Sequence, residues 1–155
     1  MWTDVLSGIE YDTILKVLVV LDSSVLVAAL RSRQGASFRL LELLRDDQFE
    51  IAVSVPLVLE YEAVLVRHAI ELNLSREAAV GVVDFLCRVG HRQDIHFLWR
   101  PSLPDPQDEF VLELAVAANC EAIITHNVRD FVGAKKFKPQ VLTPSAFLAR
   151  IWKGL

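Results

Sequence analysis

Val17 to Leu21 (VLVVL) is apolar at every position, a run suited to a strand buried on both faces rather than a half-exposed one. Such strands lie inside parallel sheets, and parallel neighbours need long crossovers, usually helical. The rest of the chain supplies them. Ser23 and Ser24 offer N-cap hydroxyls to a helix running to Leu30, and Ala36 to Arg45 places Phe38, Leu41 and Leu44 on one helical face. Glu50 to Val55 (EIAVSV) reads as a second strand. Ser54 and Pro56 then start a helix to about His68, because proline costs nothing where the backbone N–H is unpaired. Asn73-Leu74-Ser75 breaks the pattern, and Ser75 caps a helix whose apolar face carries Val82, Leu86 and Val89.

Ile95 to Trp99 predicts a third strand, and the prolines of Pro101 to Pro106 mark a loop. A helix from Pro106 carries the stripe Val111, Ala115, Ala118, and Ala122 to Thr125 (AIIT) predicts the fourth strand. A short helix after Asn127, an edge strand over Gln140 to Thr143 and a closing helix from Pro144 to Trp152 complete the order. This alternation predicts the α/β class: a three-layer α/β/α sandwich around a central parallel sheet of four to five strands. Residues 1–155 fit a single domain, with 1–16 a leader in which no element is readable.

Composition narrows the function. A 53% hydrophobic content in 155 residues suffices for one continuous core. The longest apolar stretch, Val17 to Leu30, is interrupted by Asp22-Ser23-Ser24 and is too short to span a bilayer. The first sixteen residues carry Asp4, Glu10 and Asp12 and do not resemble a secretory signal, so the expected location is the cytoplasm, without membrane attachment. Cys87 and Cys120 lack paired spacing and are expected to be reduced core thiols. The net charge of −4 does not mark a nucleic-acid binder. Bound divalent ions would, however, cancel acid charge where a phosphate approaches. Basic residues are grouped as Arg31 and Arg33, as Arg88, His91 and Arg92, and as Lys135, Lys136 and Lys138; each group taken singly reads as solvated loop charge.

Asp22, Glu60, Asp108 and Asp130 each stand at a predicted helix start, which in an open α/β sheet lies along the carboxyl ends of the strands where ligands bind. Each has a purely structural explanation. Asp22 can cap a helix, Glu60 sits where the helix dipole favours an acid, and Asp105/Asp108 and Asn127/Asp130 have the spacing of a cap and its partner. Of Glu60 and Glu62 only one can face a crevice, and Glu60 is the choice. What capping leaves unexplained is convergence, since acids gathered at one edge repel unless a cation or protons compensate. Oxygen ligands without a Cys or His pattern select Mg²⁺ or Mn²⁺, the ions of in-line phosphodiester hydrolysis. His126 has no second His at i+3 or i+4 and reads as a satisfied or exposed histidine. The expected chemistry is that of a metal-dependent phosphodiesterase, with RNA the foremost substrate.

These residues lie in VLVVLDSSVLVAAL, SVPLVLEYEAVLVR and DPQDEFVLELAVAANCEAIITHNVRDF, and with them the chain resembles the PIN-domain family. In particular it is similar to the VapC-like ribonucleases that serve as toxins of bacterial toxin-antitoxin pairs. By that resemblance Asp22, Glu60 and Asp108 take the metal-binding acidic positions, Asp130 a further acidic position, and Ser24 and Thr125 nearby hydroxyl positions. The resemblance implies Mg²⁺- or Mn²⁺-dependent endonucleolytic cleavage of RNA, a homodimer, and a small antitoxin that blocks the crevice. Asn127 stands where many members have Asp, which leaves open a PIN-like scaffold that binds RNA or protein and cuts weakly. A haloacid-dehalogenase-like phosphatase needs a second Asp two residues after the first, where this chain has Ser24. A receiver domain needs an acidic pair near the first strand and a Lys after the last, and neither is evident.

Overall fold

The computed structural model describes residues 16–95 and 102–154. Its elements run β1 (Leu18–Leu21), α1 (Ser23–Arg31), α2 (Ala36–Arg45), β2 (Glu50–Val53), α3 (Val55–Arg67), α4 (Arg76–Val89), β3 (His91–Arg92), α5 (Pro106–Ala117) and β4 (Ala122–Ile124). A 3₁₀ segment (Val128–Lys136), β5 (Gln140–Leu142) and α6 (Pro144–Gly154) follow. All strand pairs are parallel, in the order β3-β2-β1-β4-β5, with β1 central as its apolar run requires. Val19, Val20 and Leu21 are fully buried, as are Ile123 and Ile124 beside them. Helices flank the sheet in a three-layer α/β/α fold. Helix α5 lies across β1, β2 and β4, while α1 packs with α2 and α3, and α2 with α6.

Local chemistry explains most boundaries. Ser54 Oγ accepts the Leu57 N–H and Ser75 Oγ the Ala78 N–H, so both predicted serine caps are made. The second strand stops at Val53, two residues short of the predicted Val55, because Ser54 is already the cap. Helix α5 ends with Asn119 at φ 56°, while the Cys120 and Asn119 N–H groups return to the Ala115 and Val116 carbonyls. That is the left-handed closure which asparagine tolerates, and it turns the chain into β4.

Two expectations need correction. The third strand is His91–Arg92 rather than Ile95–Trp99. Ile95 is in no strand, and 96–101 lie outside the described residues, as does nearly all of the 1–16 leader. Cys87 is exposed, whereas Cys120 is buried as expected and its thiol is pushed up to about 12 by that burial. Both cysteines are free. No helix of the described residues is long and apolar enough to cross a membrane.

The loop before α5 and the 3₁₀ segment are locked together. The Glu109 carboxylate accepts the N–H groups of Ser102 and Leu103. A β-carbon at position 133 would overlap the Ser102 carbonyl oxygen, so only glycine permits this approach. The contact fixes Asp108, on α5, relative to Asp130, on the 3₁₀ segment.

Candidate active site: an acidic crevice at the carboxyl edge of the sheet

From β1 the chain proceeds to β2 and β3 on one side of the sheet and later to β4 and β5 on the other. The order therefore reverses between β1 and β4, the place where open α/β sheets leave a crevice beyond the strand ends. A cavity of about 530 Å³ opens there, and Asp22, Glu60, Asp108 and Asp130 all line it, together with Ser24, Asn127 and Asp105. Asp105 was read from sequence only as a cap for α5. Glu62 lines a separate groove with Val66 and Val80, so the choice of Glu60 agrees with the helix geometry.

Asp22 directly follows β1 and is 7% exposed. It occupies the N-cap position of α1, yet its side chain makes no capping hydrogen bond, and neither does that of Asn127 before the 3₁₀ segment. Capping therefore explains neither residue. Instead Asp22 Oδ2 accepts hydrogen bonds from Ser24 Oγ at 2.8 Å and from Thr125 Oγ1 at 2.7 Å. Those hydroxyls in turn accept the N–H groups of His126 (3.2 Å) and Asn127 (3.0 Å). This corrects the expectation that Ser24 caps α1; its hydroxyl ties β1 to the end of β4. With both hydroxyls on Oδ2, and no unpartnered buried side-chain oxygen among the described residues, Oδ1 faces the open crevice.

The second anchor of this corner is Tyr61, buried next to Glu60, whose hydroxyl donates to the Leu21 carbonyl. Burial, then the charges of Asp22 and Cys87, raise its pKa well above the usual phenol value, so it stays a donor. Tyr61→Phe leaves that carbonyl without its partner and is expected to cost about 1–2 kcal/mol. Urea unfolding of the two proteins reads the difference.

The electrostatics record the crowding of the acids. Asp108 is pushed up to about 7, first by burial and then by Asp22, Asp105, Asp130 and Glu60. Glu60 is also raised, chiefly by burial; Arg67 opposes the shift, and Asp22 and Asp105 add to it. His126 is exposed, and its Nε2 lies 2.8 Å from Ser37 Oγ, a satisfied surface histidine as expected.

The donor set fits a hard divalent cation. Asp22 presents one open carboxylate oxygen while its other oxygen is held by hydroxyls, which fixes the orientation a ligand needs. No three Asp, Glu, His or Cys groups among the described residues are close enough to clasp a bare ion together. What fits is the chemistry of the donors, which are hard carboxylate oxygens.

The model of the PIN-domain family matches residues 18–129. The chain belongs to the PIN-domain family. The matched span contains β1 through β4 and three of the four sequence-picked acids, with Asp130 one residue beyond it. No curated protein matches the chain. Among solved structures, this PIN domain is similar to VapBC2 from Rickettsia felis bound to a DNA fragment from their promoter. The TM-score is 0.52 and the identity 17%, over 81% of this chain and 96% of that one. At that identity the likeness concerns the fold. PIN domains are in general nucleases, which makes a hydrolase acting on nucleic acid the class to which the crevice belongs.

Proposed function

We propose that this PIN domain is a metal-dependent endoribonuclease, the toxin of a type II toxin-antitoxin pair. The observation that carries the reading is the Asp22 carboxylate: one oxygen is gripped by Ser24 and Thr125, and the other opens onto a cavity lined by Glu60, Asp105, Asp108 and Asp130. Asp22, Glu60, Asp108 and Asp130 would hold Mg²⁺ or Mn²⁺. When bound, such an ion supplies the positive charge that activates a water and stabilises the leaving oxygen at phosphorus.

The chain's own residues do the rest. Ser24 and Thr125 keep Asp22 from rotating, and the shared wall of β1 and β4 sets its distance from the acids on α3 and α5. Asp108, titrating near neutrality, is able to hold a proton when no cation is present and to release it when one arrives.

A protein partner has a surface to meet. Val66, Ala69, Ala79, Val80 and Val83 line an apolar groove between α3 and α4, and Leu59 and Ile70 are exposed on the same elements or just beyond them. The similarity to VapBC2 supports an antitoxin as partner, and the groove offers an apolar face for it or for a second copy of the chain. Asn127, an amide that brings no negative charge to the crevice, supports the second reading of a scaffold that binds RNA or protein and cuts weakly. Incubation of the purified protein with single-stranded RNA separates the two. Cleavage that requires Mg²⁺ or Mn²⁺ and stops with chelator supports the nuclease, and binding without cleavage supports the scaffold.

A further inference from the structure

Helices α1 and α3 leave the acidic edge side by side, and each lines the crevice with one stripe. On α1 the stripe is Ser24, Ala28, Arg31; on α3 it is Glu60, Val64, Arg67. Both follow i, i+4, i+7, the spacing of a single helical face. Seven residues of helix rise about 10 Å, so each stripe begins among the acids and ends about two turns away at an arginine. His68, the residue after α3, joins them on the crevice wall. The crevice therefore has a cationic end.

Helix dipoles explain an arginine in a last turn, but not why two arginines and a histidine face one cavity. Two of the three, Arg31 and His68, share Glu71 as a partner. Its carboxylate pairs with Arg31 and lies 3.0 Å from His68 Nδ1. The Arg31 and Glu71 side chains are 55% and 52% exposed, so the pair is weak and easily exchanged. No ion pair to Arg67 is formed among the described residues, and its charge is felt by Glu60. A phosphate can grip a guanidinium through two parallel hydrogen bonds as a carboxylate does, so it has the geometry to replace Glu71 in so exposed a pair.

We propose that Arg31, Arg67 and His68 form a clamp for a backbone phosphate of single-stranded RNA, one or two nucleotides from the scissile phosphate, and that Glu71 occupies the clamp until the strand displaces it. The proposal rests on the nuclease reading of the acidic end. It adds a direction to that reading, since the strand lies along α1 and α3 from acids to arginines. The contacts go to phosphate alone, so the clamp sets register and affinity without choosing bases.

The test is fluorescence anisotropy with a non-cleavable 2′-O-methyl single-stranded oligonucleotide in Mg²⁺, over a series of salt concentrations. Arg31→Ala and Arg67→Ala are expected to weaken binding several-fold for every sequence tried. Each should lower the slope of log affinity against log salt, and the double variant should lower it by about 0.7, the value for one lost single-strand phosphate contact. Glu71→Gln is expected to tighten binding. The slope is the readout that a merely structural role would leave unchanged, and all three sites are exposed enough that the variants should melt as wild type does. If the wild type binds and all three variants bind equally with unchanged slopes, the clamp is wrong while the nuclease reading stands. A wild type that binds no oligonucleotide under any of these conditions overturns both.

Discussion

Asp22→Asn is expected to cut single-stranded RNA at least about 10²-fold more slowly than the wild type, a loss of about 2.7 kcal/mol in transition-state stabilisation. The reason lies in how Asp22 is held. Two hydroxyls donate to Oδ2, so an amide placed with its oxygen there turns an NH₂ toward the crevice, where it repels a cation. In the opposite orientation the NH₂ meets two donors, and Ser24 and Thr125 must both turn away. Neither arrangement restores the anionic oxygen. Folding should survive, because β1 and its neighbours are held by apolar burial and backbone ladders that the substitution does not touch. Initial rates in Mg²⁺ or Mn²⁺, with a melting curve as control, provide the measurement; equal rates for both proteins would point to a contaminating nuclease.

The second large effect concerns Asp108 and pH. Its carboxyl titrates at about 7 in the folded protein against a usual value of 3.8. Between those values the folded state holds a proton that the unfolded chain has already lost. Stability therefore falls as pH rises through the window and levels off above about 7. Unscreened, a shift of that size corresponds to about 4 kcal/mol; partial exposure of the side chain reduces it to roughly 1–2 kcal/mol. Asp108→Asn should remove this slope and, in chelator at pH 8, melt roughly 2–8 °C above the wild type. Adding Mg²⁺ should then raise the wild-type melting temperature more than that of the variant, because the cation relieves repulsion that the variant no longer has. A wild-type stability that does not change between pH 4 and 7 would mean that the acids do not crowd Asp108.

Much of this architecture was legible in the sequence, for reasons particular to each element. The all-apolar run before Asp22 left a central strand as the only economical place for it, and Ser54-Val55-Pro56 spelled out a helix start. The third strand was not legible because it is two exposed polar residues, His91 and Arg92, paired only with Ala52 and Val53. Nothing in their own pattern demands a sheet, and the apolar residues after them attracted the assignment instead.

The acids of the site were legible as helix-start carboxylates, but their bonding was not. Ser24 and Thr125 are 101 residues apart, and only the pairing of β1 with β4 brings their hydroxyls to the same Asp22 oxygen. Asp105 went unrecognised as a crevice acid because Pro106 beside it already suggested a cap. The arginine end could have been found: Arg31 and Arg67 fall seven residues after Ser24 and Glu60, a helical repeat present in the sequence, although Arg31 reads singly as solvated loop charge and Arg67 belongs to no basic group.

Calorimetric titration of Mn²⁺ into the metal-free protein tests most directly whether the gathered carboxylates share one cation. Saturable binding that weakens at least about tenfold in each of Asp22→Asn and Asp108→Asn is the predicted result. Equal Mn²⁺ binding by the wild type and both variants, or none by the wild type, would contradict it.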